Sequence, residues 1–212
     1  MAVKDNICKI LFYIIWTVFL VYNILDNTAW VALSEGFTFT RIFMVIRYIL
    51  GALCLVIIIL NLTDRKYTGY SLAAYILLGA VTALSAYYSK NYTYFWYFLI
   101  FAAAYRQDAG KVLRITAAVT AAMLVIIVGA SLTHLAVDHI FDAADRHRHG
   151  LGFGWTTTGP VLYLFFILQY IYIRREKMKI YEYLILEAAA VFFFIMTDTN
   201  LAFCSSTAIL IF

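Results

Sequence analysis

The sequence predicts an all-α membrane protein, a polytopic bundle of transmembrane helices that forms a single transmembrane domain over residues 1–212. Of its residues, 65% are hydrophobic and only 13% are charged, whereas soluble domains average about 25% charged residues. The mean hydropathy is +0.86, and the apolar residues occur in long runs. So few charges cannot cover a soluble surface, and lipid must therefore cover most of the chain.

Eight apolar runs are candidate spans, because a spanning helix needs roughly 20 mostly apolar residues. These runs lie at about 7–25, 42–62, 71–88, 92–105, 112–137, 159–173, 183–197 and 201–212. The last run is too short to span, and it has no polar residues after it. We therefore expect seven to eight spans, and we expect the chain to be the N-terminal part of a longer protein.

The distribution of lysine and arginine predicts that the N-terminus lies inside a multi-pass cell-membrane protein, because inner loops are enriched in basic residues. With this orientation, eleven basic residues fall in inner segments and four in outer segments. The inner group is Lys4, Lys9, Arg65, Lys66, Arg106, Lys111, Arg114, Arg174, Arg175, Lys177 and Lys179, and the outer group is Arg41, Lys90, Arg146 and Arg148. Arg47 falls within the second span, where an arginine is costly and indicates a functional residue. We expect it to face an outer cavity, and outward snorkelling of its side chain is the alternative.

The segment 138–158 is predicted to be an outer loop that carries the functional site. The stretch 133–160 holds all four histidines, three aspartates and two arginines. Its first half is expected to continue the fifth span as an exposed helix, because Asp138, Asp142 and Asp145 would share one helical face. Arg146 follows Asp142 at i+4, which is a favourable helical pair. A solvated helix end with local ion pairs explains these aspartates as well as a functional role does.

The alternation Arg146-His147-Arg148-His149 predicts a compact cationic cluster. Arginine suits phosphate oxygens because its planar guanidinium binds them through two parallel hydrogen bonds. We therefore expect Arg148 and Arg146 to bind an anion, and a basic loop that touches lipid headgroups is the alternative.

The segment after this cluster, Gly150-Leu151-Gly152-Phe153-Gly154, offers backbone that could approach a ligand closely. We expect Gly152 to contribute to substrate binding in this way. No strand is expected before the segment, so a dinucleotide-binding fingerprint is not predicted. The run Thr156–Thr158 is expected to cap the sixth span, and an outward helix N-terminus also favours an anion. Phosphate or pyrophosphate is the predicted ligand class.

A metal site and a nucleic-acid interface are not predicted. Zinc could use histidines, but the spacing of five between His134 and His139 does not place both on one helical face. The arginines beside His147 and His149 would repel a cation. The basic residues form no single patch for nucleic acid. Asp198 lies in Thr197-Asp198-Thr199-Asn200, where it could either form a tight turn or contact substrate.

A family resemblance is carried by Arg148-His149-Gly150-Leu151-Gly152-Phe153-Gly154-Trp155-Thr156-Thr157-Thr158-Gly159. This segment resembles a motif of the O-antigen polymerase and ligase superfamily, and most closely its capsular and exopolysaccharide polymerases, whose pattern is Arg-x-Ser-Leu-Gly-Phe-x-His-Pro-Asn. Residues 170–183 are similar to the inner loop of that family, residues 197–200 resemble its Thr-Asp-Ser-Arg turn, and residues 98–114 resemble its segment before the fifth span. Trp155-Thr156-Thr157 stand in place of His-Pro-Asn, Gly150 in place of serine, and Asn200 in place of arginine.

The resemblance implies a metal-independent, GT-C-like glycosyltransferase that joins repeat units carried on polyprenyl pyrophosphate at the outer membrane face. It implies no cofactor, and its partners would be lipid-linked oligosaccharide, membrane lipids and other glycan-assembly proteins. Arg148, then Arg146 and Arg47, would bind the pyrophosphate and stabilise its charge as it leaves. His147 or His149 would activate the acceptor hydroxyl. A non-catalytic lipid-carrier-binding or scaffold component, and a small transporter or flippase, are the alternatives.

Overall fold

A computed structural model of the protein describes residues 2–32, 37–63, 68–143, 146–174 and 177–211. The helices are α1 (Ala2–Asp26), α2 (Ala29–Ala32), α3 (Phe37–Thr63), α4 (Gly69–Ser89), α5 (Thr93–Ala103), α6 (Ala109–Leu132), α7 (Thr158–Arg174), α8 (Ile180–Thr197) and α9 (Asn200–Ile211). Two short strands, β1 (Ile140–Ala143) and β2 (Arg146–His149), lie between α6 and α7. The helical prediction is therefore confirmed for most of the described chain, and the strands are an addition to it.

Five of the described helical segments are long and apolar enough to cross a membrane by length and composition. They are Asn6–Asp26, Arg41–Thr63, Gly69–Ser89, Ala109–Leu132 and Ile180–Thr197. Helices α5 and α9 are also apolar, but they have 11 and 12 residues and are shorter than a simple span requires. The length and composition of these helices therefore support the prediction of a membrane protein.

The chain divides into two compact units, of which the first comprises Met1–Phe19 and Arg41–Asp108. Within it, α3 buries Leu50, Cys54 and Ile57, whose spacing of four and three places them on one helical face. Close approach of an aromatic ring explains one glycine of α3, since a Cβ added at Gly51 would lie 2.0 Å from the ring of Trp96.

The second unit comprises Leu20–Thr40 and Ala109–Phe212. Its core contains Ile127 of α6, Ile167 of α7 and Phe153 of the segment before α7, all with no measurable exposure. Tyr163 of α7 is also buried, and its hydroxyl donates a hydrogen bond to the backbone carbonyl of Leu186 in α8, 2.5 Å away. Helices α6, α7 and α8 therefore pack around one apolar core.

The structure contradicts the expectation that the fifth apolar run continues as an exposed helix through the aspartates. Helix α6 ends at Leu132, and His134 takes a left-handed backbone conformation with φ +57°. Such a residue commonly ends a helix, and histidine tolerates the conformation better than most side chains do. The chain then forms an antiparallel hairpin in which Asp142 pairs with His147 and not with Arg146. Asp145 lies outside the described residues.

Candidate functional site

The hairpin β1–β2 divides the arginine–histidine cluster between two faces. Its register places Ile140 opposite His149, Phe141 opposite Arg148, Asp142 opposite His147 and Ala143 opposite Arg146. Opposed residues of an antiparallel pair share a face, and successive residues of a strand alternate between faces. We call the face with Phe141 and Arg148 the arginine face, and the face with His147 and His149 the histidine face. The predicted single cationic cluster is therefore separated into two surfaces.

On the arginine face, Arg148 meets Asp198. The two residues are 50 positions apart in sequence, and Nη2 of Arg148 lies 3.5 Å from Oδ2 of Asp198. About one-third of each side chain is exposed, 32% for Arg148 and 34% for Asp198. The contact is at the upper limit for a hydrogen bond, and partly exposed pairs contribute little to stability. It therefore orients the guanidinium without using all of its hydrogen-bonding capacity.

One donor atom of Arg148, its Nε, makes no hydrogen bond to the described residues. This nitrogen is buried. A buried, unsatisfied donor is unfavourable, and a ligand would instead reach the exposed third of the side chain.

The turn between α8 and α9 positions Asp198. Asp198 follows the last residue of α8 with φ +50°, and its backbone N–H donates to the carbonyl of Phe194. The hydroxyl of the neighbouring Thr197 donates to the carbonyl of Phe193, and it also contacts the hydroxyl of Thr199 at 2.9 Å. Hence Asp198 is both a turn residue and a neighbour of Arg148, and the two interpretations of the sequence are compatible.

On the histidine face, both predicted catalytic histidines contact aspartates through Nδ1. His149 lies 2.6 Å from Oδ2 of Asp138, whose Oδ1 accepts a hydrogen bond from the backbone N–H of Leu151 at 2.8 Å. His147 lies 2.6 Å from Oδ1 of Asp142. The first pair is partly buried, with side-chain exposures of 33% and 21%, whereas the second is 79% and 69% exposed. Asp138 therefore orients His149 more firmly than Asp142 orients His147.

The glycine segment forms a tight turn directly after β2. The backbone N–H of Phe153 donates to the carbonyl of Gly150, and the two residues between them, Leu151 and Gly152, have φ values of +52° and +81°. Two successive positive φ values are typical of a type I′ turn. The expectation that no strand precedes this segment was wrong. The strand belongs to an antiparallel hairpin, however, so a dinucleotide-binding βαβ unit is still not formed.

Gly152 has a packing role as well as its predicted ligand role. A Cβ at this position would lie 2.9 Å from Cγ2 and 3.0 Å from the carbonyl oxygen of Ile127 in α6. The carbonyl of Gly152 accepts a hydrogen bond from Ala29, and the N–H of Gly154 donates to the carbonyl of Asn27. The turn is thus fixed to the body of the second unit on both sides.

An aromatic stack extends the arginine face. The rings of Phe141 and Trp155 are stacked, with centroids 5.9 Å apart and planes inclined by 15°. The ring of His139 lies on Phe141 at 4.3 Å. Trp155 is nevertheless 68% exposed. This stack was not predicted from the sequence, in which Trp155 stands out only as a departure from the family motif. The alternation of residues along a strand was the signal that could have revealed it.

The remaining predicted residues lie elsewhere or are only partly described. Helix α7 begins at Thr158, within the predicted capping run, and a cavity of about 300 Å³ beside it is lined by Asn23, Asn27 and Thr157 among others. Arg146 pairs through its backbone with Ala143. Arg47 is half-buried in α3 of the first unit. Within the described part of the chain, no group of three or more histidine, cysteine, aspartate or glutamate side chains could hold a metal ion.

Comparison with known proteins gives no identification: no family model, no curated protein and no solved structure matches the chain.

Proposed function

We propose that the protein is a polysaccharide-polymerase-like, GT-C-type glycosyltransferase that joins polyprenyl-pyrophosphate-linked repeat units at the outer face of the cell membrane, with seven to eight spans and the N-terminus inside. The observation that carries the proposal is the contact between Arg148 and Asp198. Each belongs to one of the two separate segments, 148–159 and 197–200, that resemble motifs of this family. Their proximity supports a common site.

In the proposed reaction, Arg148 binds the pyrophosphate of the donor lipid. An acceptor hydroxyl attacks the anomeric carbon, a glycosidic bond forms, and the bond from that carbon to the pyrophosphate oxygen breaks. The negative charge that develops on the leaving pyrophosphate is stabilised by the guanidinium, which is electrostatic catalysis. A neighbouring base takes the proton of the acceptor hydroxyl. The partial exposure of Arg148 supports this assignment, because about one-third of its side chain is open to a phosphate oxygen.

Of the two histidines predicted as the base, His149 is better held. Asp138 occupies its Nδ1 and leaves Nε2 as the nitrogen that could accept a proton. His147 is mostly exposed, so its ring is less restrained. Because His149 lies on the face opposite to Arg148, it could serve as the base only for a substrate that reaches around the hairpin, and Asp138 would then act only through His149, as a positioning residue.

A second candidate function is a non-catalytic component that binds the lipid carrier for a glycan-assembly complex. The observation that favours it is the separation of faces, since His147 and His149 share the face opposite to Arg148. A base on one face and a pyrophosphate on the other cannot act on the same bond without a substrate that reaches around the hairpin. Binding without turnover would satisfy this geometry.

The experiment is lipid mass spectrometry of the gently purified protein, followed by polymerisation in liposomes with a lipid-linked repeat unit. Arg148→Ala should lose the co-purified polyprenyl pyrophosphate, and Arg148→Lys should retain only part of it because lysine lacks the bidentate fork. Arg41→Ala, at another outer arginine, is the matched control. Ordinary phospholipids alone on the parent protein would refute the proposal. Carrier binding without any polymer would favour the second candidate.

A further inference from the structure

The stack of Phe141 and Trp155 covers its two rings unequally, since Phe141 is half-buried and Trp155 is mostly exposed. Trp155 is 68% exposed although the ring of Phe141 stacks on it. Since the stack can cover only one face of the indole, the opposite face is open. This open face is part of neither the predicted anion site nor the apolar core.

Backbone hydrogen bonds hold the chain around Trp155, and the stack on Phe141 holds its ring. The N–H of Gly154 donates to the carbonyl of Asn27, and the carbonyl of Trp155 accepts from the N–H of Thr158. Thr156 is buried. A pre-ordered ring loses little conformational freedom when a ligand packs on it.

The ring also has a charged neighbour on the same face. Phe141 stacks on Trp155 and lies directly opposite Arg148 in the hairpin. Opposed residues have Cβ atoms about 5 Å apart, and the two ring centroids are 5.9 Å apart. Phe141 therefore contacts the indole ring of Trp155 and also faces Arg148 across the hairpin, so the aromatic stack and the guanidinium belong to the same surface.

From this arrangement, and resting on the proposed function, we propose that Trp155 is a carbohydrate-binding residue: the sugar next to the pyrophosphate packs on its open face while Arg148 binds the phosphate. The face of an indole ring is electron-rich, and the C–H bonds on one side of a pyranose carry partial positive charge. The two surfaces are therefore complementary. The occupant is a hexopyranose linked to pyrophosphate, and not an acyl chain, because an acyl chain has no group for the guanidinium.

The test measures the affinity of the full-length protein in nanodiscs for two probes, a polyprenyl pyrophosphate and the same lipid bearing one N-acetylhexosamine. The parent should bind the sugar-bearing lipid about tenfold more tightly, as expected for one ring stacked on an aromatic side chain. Trp155→Ala and Trp155→Leu should lose this preference and keep the affinity for the bare lipid. Trp155→Phe should retain most of the preference because it retains a ring, so the comparison of Phe with Leu decides the question even if the alanine variant folds poorly.

The controls separate this proposal from the proposed function. Tyr88→Ala removes another exposed aromatic, at the end of α4, and should change neither affinity. Arg148→Ala should weaken both probes equally.

Three results would overturn the carbohydrate proposal. Equal losses for both probes in Trp155→Leu would make the tryptophan a membrane-interface anchor. Equal affinity of the parent for the two probes would overturn the carbohydrate site. If Arg148→Ala still weakened the binding of both probes, the pyrophosphate site would remain supported. Binding of neither probe would overturn both proposals.

Discussion

Replacement of Asp138 by alanine is the perturbation that best tests the hairpin and the glycine turn together. Its two carboxylate oxygens have different partners: Oδ2 contacts His149 and Oδ1 accepts the backbone N–H of Leu151. Leu151 has φ +52°, a conformation that costs a leucine roughly 1–3 kcal/mol and needs support from its surroundings. Asp138→Ala removes both contacts at once.

The expected loss follows from these contacts. A hydrogen bond to a charged group contributes about 1.5–3 kcal/mol, so two such bonds in a dry site would contribute about 3–6 kcal/mol. The side chains of Asp138 and His149 are 21% and 33% exposed, and water would replace part of the interaction. We therefore expect about 3 kcal/mol of destabilisation for Asp138→Ala. His149→Ala should cost about half as much, because Asp138 would keep its bond to Leu151.

Thermal unfolding in one detergent, followed by intrinsic fluorescence, would measure these differences. For a chain of this length, 3 kcal/mol corresponds to a fall in Tm of about 6 °C or more. The matched control is Asp142→Ala, since Asp142 and His147 form the equivalent but mostly exposed pair, which should contribute less than about 0.5 kcal/mol. Equal shifts for Asp138→Ala and Asp142→Ala would refute the claim that Asp138 supports the turn.

The remaining predictions concern the core of the second unit and use the same measurement. Gly152→Ala should lower the free energy of unfolding by about 1–3 kcal/mol. The added methyl group would meet the side chain and carbonyl of Ile127, and an alanine does not easily adopt the φ of +81° found at this position. Phe153→Ala should lower it by about 3–5 kcal/mol, because the ring is fully buried. Tyr163→Phe should cost about 1 kcal/mol through loss of the bond to the carbonyl of Leu186. Unchanged unfolding in Gly152→Ala would show that the turn does not pack against α6.

The helices could be predicted from the sequence because lipid imposes a simple rule on composition. Every predicted apolar run corresponds to a helix, and most ends agree within a few residues. The run predicted to end at 137 is the main exception, since α6 ends at Leu132. Residues 133–137 are mostly apolar and gave no sign of an end, which depends on the left-handed backbone of His134. Histidine at such a position is less common than glycine, so the sequence did not reveal it.

The sequence predicted which residues form the candidate site better than it predicted how they contact each other. Arg148 and Asp198 were both identified from sequence, and their contact arises from packing across 50 residues. The aspartates were assigned to a helix because their spacings of four and three fit one. The spacing of four between Asp138 and Asp142 also occurs around a hairpin, where these two aspartates contact different histidines. Only pairing with a second segment distinguishes the two structures, and pairing is not encoded in one segment alone.

The alternation of arginine and histidine has opposite consequences in the two structures. In an irregular loop, adjacent residues such as Arg148 and His149 can bind one ligand. In a strand they point in opposite directions, so the arginine face must supply its own proton acceptor if the chain transfers sugars. Among the described residues, two possible proton acceptors lie there: Asp198, 3.5 Å from Arg148, and His139, whose ring contacts Phe141. A transferase would therefore depend on one of these side chains more strongly than on His149, whereas a carrier-binding protein would depend on neither for turnover.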